Sequence, residues 1–304
     1  MILLLFFLSL TLTEARCPLN AIESTEYDSC YLHGPIKADW EGAEEICQLL
    51  GGHLPSIKDQ AQNAYITKIM DEVKFESLWI GGQYNGTAWT WSDGTDFNFV
   101  HFLGAASYAA KGYATSILLD DPAPGYSGYW QSENMDFTAQ PFICQIPRCN
   151  SKGHSAKSIL KMPKVLTFSS LTNSWYYAYK QGFAKPKEAE ANCAALGGHL
   201  PSVHSAFENS DLLNILIEQT NAQTDFSLGL FSDLNGANFK FSDGTVFGYS
   251  NWAPGEPKQL LYSEDSAFSS KTGLWSTLGD SQRAPDQEAL LYACAFPENV
   301  NYCA

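Results

Sequence analysis

Hydrophobic and polar residues follow a helical pattern first and a strand pattern later. Between Trp40 and Leu50 the apolar residues recur at steps of three and four, and Gly51-Gly52 then ends the run, which predicts an amphipathic helix. A second helix is predicted by residues that share one face: Ala61, Ala64, Tyr65, Ile69 and Val73. The short runs 78–81 and 89–91 flank Asn85-Gly86 and predict a hairpin. Helices followed by strands indicate an α+β fold.

The same pattern occurs twice. Residues 47–57 (CQLLGGHLPSI) return as 193–203 (CAALGGHLPSV), an offset of 193 − 47 = 146. Three further matches keep their order: 91–95 with 241–245, 128–130 with 273–275, and 142–144 with 292–294. In the second copy Pro186 is suited to begin the first helix, and Ser205 with Glu208 has the spacing of a capping box before the second. The chain is therefore predicted to be a tandem duplication with copies at 17–148 and 149–304.

The first residues predict export. An apolar run covers Ile2 to Leu12 and is too short to span a bilayer, and Ala15 closes a small-residue cleavage pattern. Residues 1–15 thus predict a secretory signal peptide, the alternative being an amphipathic or buried N-terminal helix. The sequence contains no later run of 18 apolar residues. We expect a secreted, extracellular protein without a membrane span.

The net charge of the chain disfavours negatively charged partners. The 304 residues carry 18 Lys and Arg against 33 Asp and Glu, a formal net charge of −15. Nucleic acids and anionic membranes select basic surfaces, so neither is an expected partner. Residues 149–165, which join the copies, are rich in lysine and serine. We expect an exposed, solvated linker there rather than a docking patch.

The eight cysteines favour disulfides. An even number of cysteines in an exported chain indicates four bridges, and the short paired spacings of zinc sites do not occur. Asn85-Gly86-Thr87 is an N-glycosylation acceptor and should lie on a surface turn.

Taken in order, these motifs resemble the C-type lectin-like domain, twice over. The resemblance rests on the helix cysteine that leads into Leu-Gly-Gly-His-Leu-Pro-Ser, on Trp79-Ile-Gly and Leu228-Gly-Leu, on Ser-Asp-Gly-Thr, and on the strands that end in Cys144 and Cys294. It covers essentially the whole mature chain. It implies two domains, each with two helices, an antiparallel sheet and a long loop region, stapled by disulfides.

The resemblance also implies a disulfide pattern. The family joins its helix cysteine to the cysteine of its last strand, and its long form staples an N-terminal hairpin. The implied pairs are Cys47–Cys144, Cys193–Cys294 and Cys17–Cys30, which leaves Cys149–Cys303 within the chain or, alternatively, bridges between two chains. Both copies lack the family's inner disulfide beside the ligand loops.

Family members that bind sugars through calcium use Glu-Pro-Asn or Gln-Pro-Asp, a second Glu, and Trp-Asn-Asp. At the matching positions the second copy keeps Glu256 and Glu264 but has Lys258, Ser276 and Thr277. Calcium needs six to eight oxygen ligands and an ammonium group offers none. We expect no calcium and no other metal or cofactor. Our hypothesis is that Lys258 bridges Glu256 and Glu264, the alternative being that it points into water. The resemblance also implies a cis bond before Pro257.

The first copy has no such ligand set. Asp120-Asp121-Pro122 is expected to be solvated, and Trp130 to be a core residue. Tyr126, with Tyr108 and Tyr113, is a candidate for stacking on a sugar or anchoring a protein.

Catalysis is not indicated. Neither Gly-x-Ser-x-Gly nor His-Glu-x-x-His occurs. His53 and His199 occupy the same repeat position, which favours a structural role. Glu256 with Glu264 resembles former metal ligands more than a glycosidase pair. The sequence thus predicts a secreted, non-catalytic recognition protein that binds carbohydrate without calcium; the alternative is a calcium-independent protein-binding module.

Overall fold

The computed structural model describes residues 17–18, 20–104, 109–119, 125, 127–149, 163–221, 224–233, 238–258, 265–269, 272–279 and 289–298. The predicted signal peptide and most of the predicted linker lie outside these residues.

The first copy places two helices beside a seven-stranded sheet. Its elements are β1 (Ile22–Ser24), β2 (Ser29–Ala38), α1 (Trp40–Leu49), α2 (Gln60–Val73), β3 (Ser77–Tyr84), β4 (Trp89–Trp91), β5 (Tyr113–Leu118), β6 (Trp130–Asn134) and β7 (Gln140–Pro147). The strand order is β1-β2-β7-β3-β5-β6, and β4 pairs with β3. The predicted hairpin is β3 with β4, in antiparallel register.

The second copy repeats this plan. Its elements are β8 (Thr167–Ser169), β9 (Ser174–Ala184), α3 (Pro186–Ala195), α4 (Ala206–Thr220), β10 (Phe226–Ser232), β11 (Phe239–Phe241), β12 (Asp265–Ser269), β13 (Trp275–Gly279) and β14 (Leu290–Pro297). The order is β13-β12-β10-β14-β9-β8, and β11 pairs with β10. The α+β class is confirmed in both copies.

The resemblance implies antiparallel sheets, but each sheet also contains one parallel pair of strands. The central strand β3 pairs with β7 in parallel, and β10 pairs with β14 in the same way. The long loop region separates these strands along the chain and lets the last strand return alongside the first central one. A parallel pair needs such a long connection.

Local signals explain where the helices begin. Asp39, Asp59 and Ser205 each accept a hydrogen bond from the backbone N–H three residues on. This satisfies a donor that the first helical turn would leave free. The expected capping residue Ser205 is therefore present, and Pro186 occupies the first turn of α3.

The buried face of helix α2 matches the predicted one only in part: Ile69 is buried, as predicted. Ala61 and Ala64 are exposed, whereas Gln62 and Asn63 are buried. The side chain of Asn63 can be buried because both of its polar atoms have partners. Nδ2 donates to Gly128 O at 2.9 Å, and Oδ1 accepts from Trp130 Nε1 at 2.7 Å. Hydrophobicity alone misplaced part of the face because polar residues with internal partners can occupy core positions.

Three disulfides staple the described part of the chain: Cys17–Cys30, Cys47–Cys144 and Cys193–Cys294. These are the pairings that the resemblance implies. Cys149 is also disulfide-bonded, and its expected partner Cys303 lies outside the described residues.

The two copies share one apolar core. A single buried cluster contains Trp40 and Leu49 of the first copy together with Tyr179, Leu196 and Phe296 of the second. Both copies contribute their first helix and the long strand before it. The apolar contact continues across the boundary between the copies, so we expect their folding to be coupled.

Close contacts at two glycines define this boundary. A Cβ atom on Gly42 of α1 would lie 2.4 Å from Cε2 of Tyr177, and one on Gly34 of β2 would lie 3.2 Å from Cγ of Leu196. At Gly42 only a residue without a side chain allows the tyrosine ring to approach the helix.

The end of the predicted linker docks on the first copy. The buried carboxylate of Glu45 accepts hydrogen bonds from the backbone N–H groups of Lys164, Val165 and Leu166, the last at 2.8 Å. The Lys164 ammonium pairs with Glu41. These residues are therefore held against α1, in contrast to the expected solvated link. The sequence concealed this because Glu45 looks like an ordinary helix surface residue.

Candidate functional site

A partly buried polar network recurs in both copies and explains the repeated histidines. Glu44 Oε1 contacts His53 Nδ1 at 2.5 Å, while Glu44 Oε2 accepts from Leu54 N at 3.0 Å and Ser92 Oγ at 2.9 Å. The network connects the helix, the following turn and the strand hairpin, which is the structural role expected for His53.

In the second copy Glu190 takes the same part. Its Oε1 contacts His199 Nδ1 at 2.7 Å, and its Oε2 accepts from Leu200 N at 2.9 Å and Ser242 Oγ at 2.8 Å. The hydrogen bond that His199 donates to Glu190 raises the pKa of His199 against the opposing effect of burial. In the first copy burial lowers the pKa of His53, but the hydrogen bond and the charge of Glu44 outweigh it and the pKa is raised.

In each copy a tryptophan–asparagine pair ties the second helix to the turn before β6 or β13. Trp275 Nε1 donates to Asn209 Oδ1 at 2.7 Å, and Asn209 Nδ2 donates to Gly273 O at 3.1 Å, as Trp130 and Asn63 do in the first copy. Asn251 Nδ2 adds a bond of 2.8 Å to Gly273 O. Sequence reasoning missed these asparagines; the recurrence of Asn63 as Asn209, at the repeat offset of 146, was the available signal.

The structure brings together three predicted residues of the second copy. The Glu256–Pro257 bond is cis, as the resemblance implies. Glu256 Oε2 accepts from Thr277 Oγ1 at 2.6 Å, Thr277 N at 3.1 Å and Lys258 N at 3.0 Å. Its Oε1 lies 3.3 Å from Lys258 Nζ. Four donors of this chain thus surround one carboxylate.

The electrostatics of this site follow from those donors. The Glu256 side chain is only 8% exposed, and burial alone would raise its pKa. The hydrogen bonds from Thr277 and Lys258 outweigh burial and hold the pKa of Glu256 below its usual value. Lys258 is 70% exposed, so its ammonium lies at the surface of the site. Hydrogen bonding to the charged form keeps Glu256 ionised.

The remaining candidates are placed in part. Ser276 precedes Thr277 in β13 and is half-buried. Glu264 and Tyr126 lie outside the described residues, so the expected bridge from Lys258 to Glu264 and the role of Tyr126 stay predictions. Asp120-Asp121-Pro122 also lies outside them.

In the first copy aromatic side chains pack beneath the long loop. Trp130 is fully buried, in accord with the prediction, and its ring meets Trp91 edge-on at a centroid distance of 5.5 Å. His101 stacks on Tyr129 at 4.4 Å and on Phe99 at 6.0 Å. Sequence reasoning passed over this partly exposed stack because its residues follow no single periodicity. Asn85 is exposed on its turn, as a glycosylation acceptor requires.

No cluster of three or more His, Cys, Asp or Glu side chains suited to a metal ion occurs among the residues that the structure describes. Over the same residues, each helix is too short or too polar to cross a bilayer.

The chain forms two α+β domains, and in each a disulfide joins the first helix to the last strand. A family model for the lectin C-type domain matches residues 36–146 and 185–296. The chain therefore belongs to the C-type lectin domain family and carries two of its domains.

The curated relatives that the chain matches are much longer proteins. The chain is 26% identical to lymphocyte antigen 75 of Mus musculus over 275 residues, which are 87% of this chain and 15% of that protein. It is 24% identical to C-type mannose receptor 2 of Homo sapiens over 263 residues, 80% of this chain and 17% of the receptor. The chain thus spans about one-sixth of their length. A solved structure of human lithostathine aligns with a TM-score of 0.38 and 23% identity over 43% of this chain and 99% of that one.

Proposed function

We propose that this chain is a secreted, non-catalytic recognition protein that binds carbohydrate without calcium, through the loop around Glu256. The observation that carries the proposal is the set of four protein donors on the Glu256 carboxylate. These donors occupy the oxygens that a calcium ion would need.

The charge at this position opposes a divalent cation. Calcium binds six to eight oxygens, including carboxylates. Here Glu256 is engaged by Thr277, and the ammonium of Lys258 lies 3.3 Å from its Oε1. A calcium ion would have to displace these donors and lie beside a positive charge. At about 4 Å and an effective dielectric near 20, two unit charges interact by roughly 4 kcal/mol, and a dication doubles the repulsion.

The same groups suit sugar hydroxyls. The exposed Lys258 ammonium is a donor, and the hydroxyls of Ser276 and Thr277 donate and accept. One relative has mannose in its name, which supports a carbohydrate ligand for a chain of this family. Export is supported by the predicted signal peptide and by the disulfides, which form in oxidising compartments.

A glycosidase role is disfavoured. Such an enzyme needs one carboxyl group that stays protonated near neutral pH. The lowered pKa of Glu256 makes it unsuitable as that acid.

Retention on a glycan array in the presence of a chelator tests the proposal. We expect the wild-type chain to be retained and Lys258→Met to lose retention on the same glycans, because the surface donor is removed. Lys240→Met is the matched control, since Lys240 lies in β11 outside the Glu256 loop. Equal retention of wild type and Lys258→Met would reject this loop as the sugar site.

Protein binding is the second candidate. Val246 is 82% exposed and Phe207 79% exposed, both in the second copy. Large exposed apolar residues are common at protein interfaces. A chain that ignores all glycans but loses a captured extracellular protein when Phe207→Ser is introduced would favour this candidate.

A further inference from the structure

The second copy contains a cleft that shares no residue with the Glu256 loop. It has a volume of about 460 Å³ and lies between the turn after α3, the start of α4, the turn that joins β8 to β9, and strands β9 and β14. Its apolar wall is formed by Leu171, Leu200 and Pro297. Its polar lining includes two imidazoles and two carboxylates: His199, His204, Glu208 and Asp243. Thr172 and Tyr176 also line the cleft, and the Tyr176 hydroxyl donates a hydrogen bond of 2.9 Å to Thr172 Oγ1.

The first copy has a cluster of aromatic rings at the matching place. The repeat aligns Thr172 with Tyr27 and Asp211 with Tyr65, at offsets of 172 − 27 = 145 and 211 − 65 = 146. In the first copy the rings of Tyr27 and Tyr65 lie 5.2 Å apart, and Tyr31 packs on Tyr65 at 5.5 Å. The second copy has smaller side chains in place of Tyr27 and Tyr65, so it lacks the bulk of these two rings beside its cleft.

The two copies also differ in charge here. The lining residues His204, Glu208 and Asp243 of the second copy match Lys58, Gln62 and Asp93 of the first. Their formal charges sum to +1 − 1 = 0 in the first copy and to −2 in the second, with the histidine neutral. The second copy is therefore more acidic than the first copy at this place.

Neutral donors hold these carboxylates in place. Asp243 accepts from the hydroxyls of Ser202 and Thr245, both at 2.6 Å. Glu208 accepts from His204 N at 2.9 Å. Among the described residues that line the cleft there is no Lys or Arg. The lining therefore carries negative charge that hydroxyls and amides orient but do not cancel.

We propose that this cleft binds a basic side chain, arginine or lysine, presented by a protein partner. The methylene stem of such a side chain matches the apolar wall at Leu171 and Pro297, and its cationic head matches the carboxylates of Glu208 and Asp243. The net charge of −15 on the whole chain favours the approach of a basic partner.

Blocked tripeptides test this on the whole chain. The probes are acetyl-Gly-Arg-Gly-amide, the lysine equivalent, and the citrulline equivalent, which has the shape of arginine without its charge. The imidazole NMR signals of His199 and His204 report on the cleft, and that of His53 is the internal reference because it occupies the matching position in the first copy. We expect saturable shifts of His199 and His204 with a basic peptide and none with citrulline.

Variants copied from the first copy complete the test. Glu208→Gln introduces the residue of the first copy, where Gln62 accepts the matching backbone N–H of Lys58 at 3.0 Å, so the turn should be kept. We expect about tenfold weaker peptide binding, as for the loss of one charge-assisted hydrogen bond. Thr172→Tyr with Asp211→Tyr should fill the cleft and abolish the shifts. Shifts that are equal with citrulline, unchanged by Glu208→Gln, or absent with both basic peptides would overturn the proposal.

Discussion

Thr277 holds the carboxylate of Glu256 with two hydrogen bonds, one from its hydroxyl at 2.6 Å and one from its backbone N–H at 3.1 Å. In calcium-binding members of the family the matching position is an aspartate, which would repel this carboxylate unless a cation lay between them. Threonine instead supplies a donor. This supports our proposal that the loop of the second copy is complete without a metal ion.

The first prediction concerns this pair. Thr277→Val removes the hydroxyl donor from a carboxylate that is mostly buried, so the pKa of Glu256 should rise toward or above its ordinary value of 4.5. A carbon-detected NMR titration of the Glu256 carboxyl group measures this. Ser276→Ala is the control, and its titration should match that of the wild type. An unchanged pKa in Thr277→Val would show that the hydroxyl does not hold the carboxylate.

The tryptophan–asparagine pairs give a matched stability test. Asn63→Leu and Asn209→Leu each leave a buried indole N–H without an acceptor, which costs roughly 1–3 kcal/mol of unfolding free energy. Denaturant unfolding of each variant measures the loss. Ala64→Leu, at an exposed position of the same helix, should change stability little. Wild-type stability in both asparagine variants would refute a structural role for the pair.

A pH prediction follows from Asp93 and Asp243. Burial raises the pKa of each, but hydrogen bonds from the neighbouring serine and threonine outweigh it and the pKa is lowered below 3.8. A carboxyl group with a lowered folded pKa stabilises the fold above its unfolded value and loses this contribution as the pH falls through the folded value. Stability should therefore decline from about pH 4 downward.

Melting temperatures across acid pH measure this contribution. Asp243→Asn should melt lower than the wild type at neutral pH, and the difference should shrink in acid. Asp71→Asn, at an exposed position of α2, should leave the profile unchanged. A constant difference between Asp243→Asn and the wild type at every pH would contradict the linkage.

The shared core predicts coupled unfolding of the two copies. Gly42→Val drives a side chain into Tyr177 and should cost about 1–3 kcal/mol by overpacking. Calorimetry should show one transition for the wild type and a separation into two for the variant. Gly248→Ala is the control because a Cβ atom there meets nothing within 4 Å. A single unchanged transition in Gly42→Val would show that the contact does not couple the copies.

Much of the fold could be predicted from the sequence because it depends on local signals and on the repeat. Gly51 ends the first helix, Ser205 caps another, and Cys47 and Cys193 mark the family pattern. The local sequence does not reveal contacts between the copies. Nothing in the residues around Glu45, for example, indicates that its carboxylate binds the backbone N–H of Leu166. Such contacts depend on how the two domains pack, which no local pattern encodes.

The candidate site was predictable only as far as the family motif reaches. The motif located Glu256, Lys258 and Thr277. It did not reveal that Thr277, together with Lys258, donates hydrogen bonds to the Glu256 carboxylate. The sequence did not predict the cleft at His199. The second copy has smaller side chains where the first has Tyr27 and Tyr65, and this difference is seen only when the two copies are compared in three dimensions.

Calorimetric titration with calcium tests the central claim most directly, with the wild type beside a variant that restores the family ligands through Lys258→Asn, Ser276→Asn and Thr277→Asp. We predict no binding heat from the wild type and measurable calcium binding by the restored variant, because the ammonium and the hydroxyl donor are replaced by oxygen ligands. Micromolar calcium binding by the wild type, abolished by Glu256→Gln, would contradict the account.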